Sequence, residues 1–373
     1  MVKLRKAPGK ADVAALLRRG EVSFPPFSLS LRPEQDGRLP GGRPDAVLQL
    51  TWNDQSRLFA VEYKSKSTPA EVQAASDQVR RLSRPPLWPM VLVPYLPEER
   101  LDQLEREGVS GLDLCGNGVV AVPGEWLVRR AGKPNLYRQS FPIKNIFRGT
   151  SSLVARVFLI QPTYGAVSEI REKVEELGTA VTLSTASKVL ARLEEELIVG
   201  RQTGEIRLLQ PEKLLQRLVE NYRPPEVTQR FVGKTITNGG PEVLLMEPRP
   251  DWLPEDRVSR VLTGASSIRR LYAELPREPM LSFYCRDLAA LVGRLQRDGD
   301  VREQERFPDL ELLETNDDTV YFGRCVVGGV PYASTVQTYV ELATGGKREQ
   351  EMAEKVKTLI LHTLKQPIPG LRL

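Results

Sequence analysis

The chain has 373 residues, of which 40% are hydrophobic and 27% are charged, and its formal net charge is +5. This balance is typical of folded globular proteins and excludes a disordered or fibrous chain, and the length predicts three domains. Proline interrupts the longest apolar runs well before the roughly 20 residues of a membrane span, and the N-terminus lacks the apolar core of a secretory signal. We therefore expect a cytoplasmic protein with no membrane partner.

The scarcity of histidine and cysteine restricts the chemistry that the chain can perform. His362 is the single histidine, and Cys115, Cys285 and Cys325 lack the paired spacing of a zinc site or a disulfide framework. Nucleophilic catalysis through histidine and histidine-ligated zinc are therefore disfavoured. Any hydrolysis would have to use carboxylates, lysines and metal ions. The small positive charge is a weak indication of a polyanionic partner.

The first predicted unit, residues 1–138, has the pattern of an α/β domain with a mixed sheet. Thr68 and Pro69 have the residue types of a helix N-cap and first helical position. The apolar stretch 88–96 is typical of a strand that is buried on both faces. The predicted order is a helix (10–19), two strands (45–52 and 57–66), a helix (70–82), a strand (88–96), a helix (98–108) and an extended stretch (109–130).

The second predicted unit, residues 139–212, has the pattern of a winged helix-turn-helix domain. It begins with a linker that is rich in Arg, Lys, Pro and Gly. The amphipathic segments 151–162, 166–177 and 182–199 predict three helices. A hairpin centred on Thr203 and Gly204 follows them and would form the wing.

The third predicted unit, residues 213–373, mixes both kinds of element and is expected to be an α+β domain. After a first segment "PEKLLQRLVENYRPPE", helices are predicted over "DLAALVGRLQRDG", "TVQTYVELATGG" and "REQEMAEKVKTLILHTLK". Strands are predicted over "EVLLMEP" (242–248), "PMLSFYC", "LELLET" and "TVYFGRCVVGGVPYAS" (319–334).

Two carboxylates and a lysine lie at the ends of the first two predicted strands. Asp45 begins one strand, and Glu62 and Lys64 lie near the end of the next. Antiparallel pairing would bring both carboxylates to one edge of the sheet, and strand alternation places Glu62 and Lys64 on one side with Tyr63 on the other. Two carboxylates suit Mg²⁺ or Mn²⁺, and a lysine can orient the attacking water or stabilise developing charge. The pattern therefore predicts phosphodiester hydrolysis with Asp45 and Glu62 as metal ligands.

The segments "RPD" and "FAVEYK", with the helix that follows them, resemble the PD-(D/E)xK signature of the restriction-endonuclease-like superfamily. The resemblance implies a nuclease in which Asp45 and Glu62 ligate Mg²⁺, Lys64 is the catalytic lysine and Gln78 is an accessory residue. For a further acidic ligand on the first helix, the candidate is Glu21, which lies just past that helix. The alternative is that Asp45 is a turn residue and that Glu62 and Lys64 form a solvated strand face.

A second acidic motif, "GLDLCGN" at residues 111–117, contains Asp113 and Asn117 near another predicted strand. Glycine and asparagine at this spacing are typical of a turn. We therefore interpret these two residues as turn residues rather than as part of a site.

The third helix of the predicted winged domain has the composition of a DNA recognition helix. Its apolar stripe leaves short hydroxylated residues near the N-terminus and basic residues further along, as contact with bases and phosphates requires. The predicted DNA-binding residues are Ser184, Thr185, Ser187, Lys188 and Arg192 on the helix and Arg201, Thr203 and Arg207 on the wing. The acidic residues 194–196 are expected to face away from DNA. The alternative is a winged helix that is used only for protein contacts.

The segments "LTGASSIRRLY" (262–272) and "YASTVQTYVELATGGKREQEMAEKV" (332–356) resemble the C-terminal domain of AbiEi-type antitoxins, the transcription-repressing half of type IV toxin-antitoxin pairs. The resemblance covers about residues 145–373 and implies operator binding and neutralisation of a nucleotidyltransferase-like toxin. Arg269, Arg270 and Lys347 could extend a DNA-binding surface, but we favour the interpretation that they belong to solvated helix faces.

These patterns leave functions of different classes open. The protein is either a Mg²⁺- or Mn²⁺-dependent endonuclease that a winged helix directs to DNA, or a non-catalytic transcriptional regulator of the antitoxin type with a toxin or effector subunit as partner. A scaffold without DNA contact would predict that charge reversal at Lys188 and Arg192 leaves DNA affinity unchanged. A palindromic operator would favour a homodimer.

Overall fold

The protein is a mixed α/β protein that divides into two compact units, Met1–Pro142 and Ile143–Leu373. The computed structural model describes residues 5–32, 43–137, 145–236, 240–244, 246, 259–268, 271–272 and 280–366. Within these residues no helix is both long enough and apolar enough to cross a membrane. The mixed α/β class predicted from the sequence is confirmed.

The first unit contains three helices and seven strands in its described part. Local chemistry explains several of their boundaries. Thr68 accepts a hydrogen bond from the Glu71 amide, so it caps the second helix, and Pro69 occupies the first helical position. The elements are α1 (Lys10–Arg18), β1 (Ser28–Leu31), β2 (Ala46–Trp52), β3 (Gln55–Tyr63), α2 (Pro69–Leu82), β4 (Leu87–Val93), α3 (Glu98–Arg106), β5 (Ser110–Asp113), β6 (Gly118–Val122) and β7 (Trp126–Arg130).

All seven strands of the first unit form one mixed sheet in which their order in space is their order in sequence. The β3–β4 and β4–β5 pairs are parallel, and the other pairs are antiparallel. One face of the sheet packs against α2 and α3, and Ala60 and Val91 are buried there. The other face, with Phe59 and Val61, packs against α1. The end of β3 is therefore covered by helices on both sides.

The N-terminal half of the second unit has three helices followed by a hairpin. The three-stranded sheet has the order β8-β10-β9 and is antiparallel. Thr203 and Gly204 at the hairpin tip have φ values of 50° and 87°, as a two-residue turn of this hand requires. The elements are α4 (Thr150–Arg156) with a 3₁₀ turn (Val157–Leu159), β8 (Thr163–Tyr164), α5 (Val167–Glu176), α6 (Leu183–Glu195), β9 (Val199–Gln202), β10 (Glu205–Leu208) and α7 (Pro211–Asn221).

The remainder of the second unit is built on a mixed seven-stranded sheet with the order β14-β11-β15-β13-β12-β17-β16. Its elements are β11 (Gln229–Thr235), α8 (Pro241–Leu244), β12 (Arg260–Leu262), α9 (Gly264–Ser267), β13 (Leu281–Cys285), α10 (Leu288–Arg297), β14 (Val301–Glu303), β15 (Leu310–Glu314), α11 (Asp318–Tyr321), β16 (Cys325–Val327), β17 (Val330–Tyr332), α12 (Thr335–Ala343) and α13 (Lys347–Lys365).

A single hydrophobic core joins the two halves of the second unit. Val154 of α4 and Leu190 of α6 belong to the same buried cluster as Val340 of α12 and Val356 of α13. The structure thus places residues on both sides of position 212 in one compact unit. The division into three domains at residues 138 and 212 stays a prediction.

Two strand predictions in the third segment are wrong over their first described residues, where the structure has short helices. The segment "EVLLMEP" begins within the short helix α8, because Pro241 provides a pre-set φ at a helix start. The segment "TVYFGRCVVGGVPYAS" begins within α11, where Asp317 caps the helix by accepting from the Thr319 amide. The rest of this segment contains the antiparallel strands β16 and β17, so the strand prediction is confirmed there. Residue 245, residues 247–248 and the pair Arg269 and Arg270 lie outside the described residues.

Candidate functional site

Antiparallel pairing brings Asp45 next to Glu62. Ala46 at the start of β2 pairs with Val61 of β3, and the Asp45 amide donates to the Val61 carbonyl at 3.0 Å. Asp45 therefore lies directly before β2 and beside the end of β3, where Glu62 is the second-to-last residue. The two carboxylates are close enough that the charge of Asp45 raises the pKa of Glu62.

Both oxygens of the Asp45 carboxylate are engaged. Oδ2 accepts a hydrogen bond of 2.9 Å from the backbone amide of Tyr63. Oδ1 forms an ion pair with Nζ of Lys10, the first residue of α1. Asp45 is therefore held by the next strand and by the first helix.

Glu62 is a buried carboxylate with one unsatisfied oxygen. It is 3% exposed, and its Oε1 accepts from Lys64 Nζ at 3.3 Å. Its Oε2 has no hydrogen-bond partner among the described residues. Burial raises the pKa of Glu62, and the charge of Asp45 raises it further, while Lys64 and Lys10 oppose the shift. A buried carboxylate oxygen without a partner is uncommon, because its desolvation is uncompensated.

Lys64 connects Glu62 to the helix that follows. Its Nζ donates to Gln78 Oε1 of α2 at 3.4 Å, and its backbone amide donates to the Leu92 carbonyl of β4 at 3.1 Å. Tyr63 belongs instead to the cluster on the opposite face of the sheet. The structure thus brings together the predicted site residues Asp45, Glu62, Lys64 and Gln78.

The carboxylates suit a small divalent cation that needs few protein ligands. Within the described residues no group of three or more His, Cys, Asp or Glu side chains could hold a metal ion. Mg²⁺ nevertheless binds through one or two carboxylates and keeps most of its waters. The unsatisfied Oε2 of Glu62 is an oxygen donor of the right chemistry, with Asp45 beside it. The pair therefore fits Mg²⁺ or Mn²⁺, and does not fit an ion that requires a full protein cage.

Glu21 does not join this cluster. It lies beyond the far end of α1, which begins at Lys10 beside Asp45, and a helix of nine residues is about 13.5 Å long. Its carboxylate pairs with Arg19 at 2.5 Å and is about half exposed. The residue of the first helix that reaches Asp45 is Lys10, which the sequence analysis did not single out. A cation at a helix N-terminus opposes the helix dipole. A lysine at the first position of the predicted helix is therefore the feature of the sequence that could have pointed to Lys10.

Asp113 and Asn117 form a turn, and the structure explains both residues without a site. Asp113 is buried and accepts hydrogen bonds from the amides of Leu96, Cys115 and Asn117 and from the Asn117 side chain. Asn117 in turn accepts from the Lys133 amide at 2.8 Å. These hydrogen bonds satisfy backbone amides of the turn between β5 and β6 and hold its conformation.

Helix α6 exposes most of its predicted DNA-binding residues. Thr182 caps the helix by accepting a hydrogen bond of 3.1 Å from the Thr185 amide, and the Thr185 side chain is half-buried. Ser184, Ser187 and Lys188 are exposed, whereas Val189 and Leu193 of the opposite stripe are buried. The β9–β10 hairpin exposes Arg201, Thr203 and Arg207. Helix α6 and this hairpin thus present hydroxyl and basic groups to solvent.

Acidic residues neutralise part of this basic surface. Arg192 pairs with Glu195 at 3.4 Å and with Glu196 at 3.0 Å. Arg201 of β9 pairs with Glu194 at 2.9 Å. The expectation that residues 194–196 face away from DNA stays a prediction, but these carboxylates form ion pairs with two of the predicted DNA-binding arginines.

Lys188 differs from the arginines. Among the described residues it forms no ion pair, whereas even Arg207 contacts Glu205 at 3.4 Å. Lys188 is therefore the basic residue of the α6 surface whose charge is available to a polyanion.

Comparisons of the chain with protein-family models, with curated proteins and with solved structures give no match. The resemblances to PD-(D/E)xK nucleases and to AbiEi-type antitoxins therefore rest on the sequence segments quoted above.

Proposed function

We propose that the protein is a DNA-binding endonuclease, in which the first unit hydrolyses phosphodiester bonds with Mg²⁺ or Mn²⁺ and the winged helix of the second unit binds DNA. The observation that carries the proposal is the Glu62 carboxylate, which is buried beside Asp45 with one oxygen unsatisfied. A chain gains nothing in stability from such a group, since its burial is uncompensated. A cation-binding role gives a physical reason for it.

Each residue of the cluster has a defined part in this proposal. Asp45 and Glu62 would hold the divalent ion, which neutralises charge on the scissile phosphate and lowers the pKa of a bound water. Lys64 keeps its ammonium beside the carboxylates because Glu62 and Gln78 both accept from it. Its side chain is 24% exposed, so it can reach a phosphate oxygen and stabilise the charge that develops there.

Helix α6 and the wing support the DNA-binding part of the proposal. A helix N-terminus that carries exposed hydroxyl groups can approach bases and phosphates closely, and its dipole favours anions. Lys188 supplies positive charge on the same face, and Thr203 and Gly204 make a narrow wing tip suited to a groove or the backbone.

Cleavage assays on the full-length protein test the catalytic half. Supercoiled plasmid and labelled single- and double-stranded oligonucleotides are incubated with Mg²⁺, with Mn²⁺ or with EDTA. We expect metal-dependent cleavage that falls at least about 100-fold in Lys64→Met, as is usual when a transition-state charge partner is removed. Lys66→Met is the matched control, because Lys66 is exposed two residues further along. Cleavage that persists in both Lys64→Met and Glu62→Gln would refute the site.

A non-catalytic transcriptional regulator is the second candidate. The observation in its favour is that the carboxylate cluster and helix α6 belong to different compact units, so DNA binding does not require the cluster. Under this proposal Glu62→Gln leaves operator binding and promoter repression unchanged, and no cleavage is detected with either metal. The toxin or effector partner implied by the antitoxin resemblance belongs to this candidate.

A further inference from the structure

Lys10 occupies the position next to Asp45 from which a cation can act on both carboxylates. Its Nζ is bonded to Asp45 Oδ1, and its charge also lowers the pKa of Glu62. Asp45 Oδ2 is already taken by the Tyr63 amide. Oδ1 is therefore the Asp45 oxygen that could bind a metal ion while Oδ2 keeps its hydrogen bond from the Tyr63 amide, and Oδ1 is paired with Lys10.

The chain fixes the start of α1 over this edge of the sheet. The hydroxyl of Tyr63, a buried residue, donates to the Pro8 carbonyl at 2.6 Å. The Gly9 amide donates to Asp12 Oδ2 at 3.0 Å and closes the first turn of the helix. Tyr63 thus contacts Asp45 through its amide and the segment before Lys10 through its side chain, which brings the ammonium to the carboxylate.

Helix stability does not explain the placement of Lys10. The positive end of a helix dipole repels a cation in the first turn, so a lysine at this position weakens the helix. Its side chain is 63% exposed, and an ion pair of this exposure adds little to stability. What the ammonium does achieve is to offset part of the negative charge of two neighbouring carboxylates.

We propose that Lys10 is a built-in counter-cation that competes with the divalent metal for Asp45 and thereby sets the metal affinity of the site. This inference rests on the proposed metal site. When a divalent ion binds, the ammonium and the ion repel each other across a few ångströms, so Lys10 must release Asp45 and move into solvent. The exposed side chain can do so without unpacking the core.

Mn²⁺ binding to the full-length protein tests the proposal without reference to activity. Mn²⁺ alone is titrated and followed by calorimetry or by the spin-resonance signal of the free ion. We expect Lys10→Met to bind Mn²⁺ about three- to tenfold more tightly than wild type, since it removes an exposed ion pair and the repulsion of the ion. Lys10→Arg keeps the charge and should resemble wild type. Lys6→Met is the matched control, because Lys6 is an exposed lysine of the same segment.

A second variant tests whether the hydrogen bond from Tyr63 to Pro8 positions Lys10 beside Asp45. Tyr63→Phe removes the hydroxyl that holds Pro8, so it should shift the Mn²⁺ affinity in the same direction as Lys10→Met and by a smaller factor. Thermal unfolding gives an independent readout. The rise in melting temperature on addition of Mn²⁺ should be larger for Lys10→Met than for Lys6→Met, because tighter binding to the folded state stabilises it more.

The outcomes separate this inference from the proposed function. Saturable Mn²⁺ binding that is lost in Glu62→Gln but is equal or weaker in Lys10→Met would overturn the role of Lys10 and leave the metal site standing. Absence of saturable binding in wild type and in Lys10→Met would overturn the metal site itself, and the inference with it.

Discussion

Replacing Glu62 by glutamine should stabilise the metal-free protein, although it removes a proposed functional group. Glutamine has nearly the same shape but carries no charge, so the desolvation of the buried carboxylate and its repulsion by Asp45 both disappear. An unsatisfied buried polar group costs about 1–3 kcal/mol, and a charged one costs more; the glutamine amide keeps the first cost and removes the excess that is due to the charge. The variant also weakens the bond to Lys64, and we therefore expect a net gain of about 1 kcal/mol, which corresponds to a rise of roughly 3 °C in melting temperature for a unit of this size.

The dependence of this gain on pH follows from the direction of the pKa shift. The ordinary pKa of this carboxyl is 4.5, and the fold raises it. Between the ordinary and the raised pKa the folded protein binds more protons than the unfolded chain, so stability falls as the pH rises through that window. Below pH 4.5 Glu62 is protonated in both states and resembles glutamine. The difference between variant and wild type should therefore be close to zero in acid and reach its full value at neutral pH.

Thermal unfolding between pH 4 and pH 8 in EDTA measures this difference. Tryptophan fluorescence is a suitable probe of the first unit, since Trp52, Trp88 and Trp126 lie there and one further tryptophan is present in the chain. Saturating Mg²⁺ should reverse the order, because a ligand at about 100 times its Kd stabilises wild type by about 2.7 kcal/mol and leaves the variant unchanged. A variant that is less stable than wild type in EDTA at neutral pH, or a difference that does not vary with pH, would refute the reasoning.

Three further predictions concern other residues. Lys188→Ala should weaken DNA binding several-fold and reduce the slope of log affinity against log salt by about 1 in salt-dependent titrations, because one phosphate contact is lost. Arg192→Ala should leave that slope nearly unchanged and instead lower stability in urea unfolding by about 1 kcal/mol, since Glu195 and buried Glu196 each lose one ion pair; equal slope changes in both variants would contradict the ion-pair geometry. Asp113→Ala should destabilise the first unit by about 3 kcal/mol in the same unfolding assay, because three backbone amides lose their acceptor, and a change below 1 kcal/mol would argue against the turn role.

The sequence was most informative where local rules apply. The period-two pattern around Glu62 predicted that it shares a side with Lys64, and the two side chains are hydrogen-bonded. Thr68 and Pro69 predicted the start of α2, and Thr203 and Gly204 predicted the tip of the β9–β10 hairpin. Each of these features depends on residues within a few positions of one another, so spacing and residue type suffice.

The acidic and basic residues of α6 show where local rules fail. Helical spacing placed Arg192 on the exposed side of α6, and residues 194–196 were expected to face away from DNA. Glu196 is buried, however, and Arg217 of α7 contacts it at 3.2 Å together with Arg192. The partner comes from another helix, and neither the period nor the composition of α6 contains that information.

The sequence alone determined that this is a mixed α/β protein, which segments form most of its helices and strands, and that Glu62 and Lys64 share one side of a strand. The sequence also predicted that strand pairing brings Asp45 to Glu62, but the strand register that does so belongs to the tertiary structure. Only the tertiary structure decided that Gln78 reaches Lys64 and that Lys10 rather than Glu21 meets the carboxylates. The reason is physical. Secondary structure follows from backbone geometry and side-chain period over a few residues, whereas these contacts depend on strand register and helix docking between segments 14 to 35 residues apart.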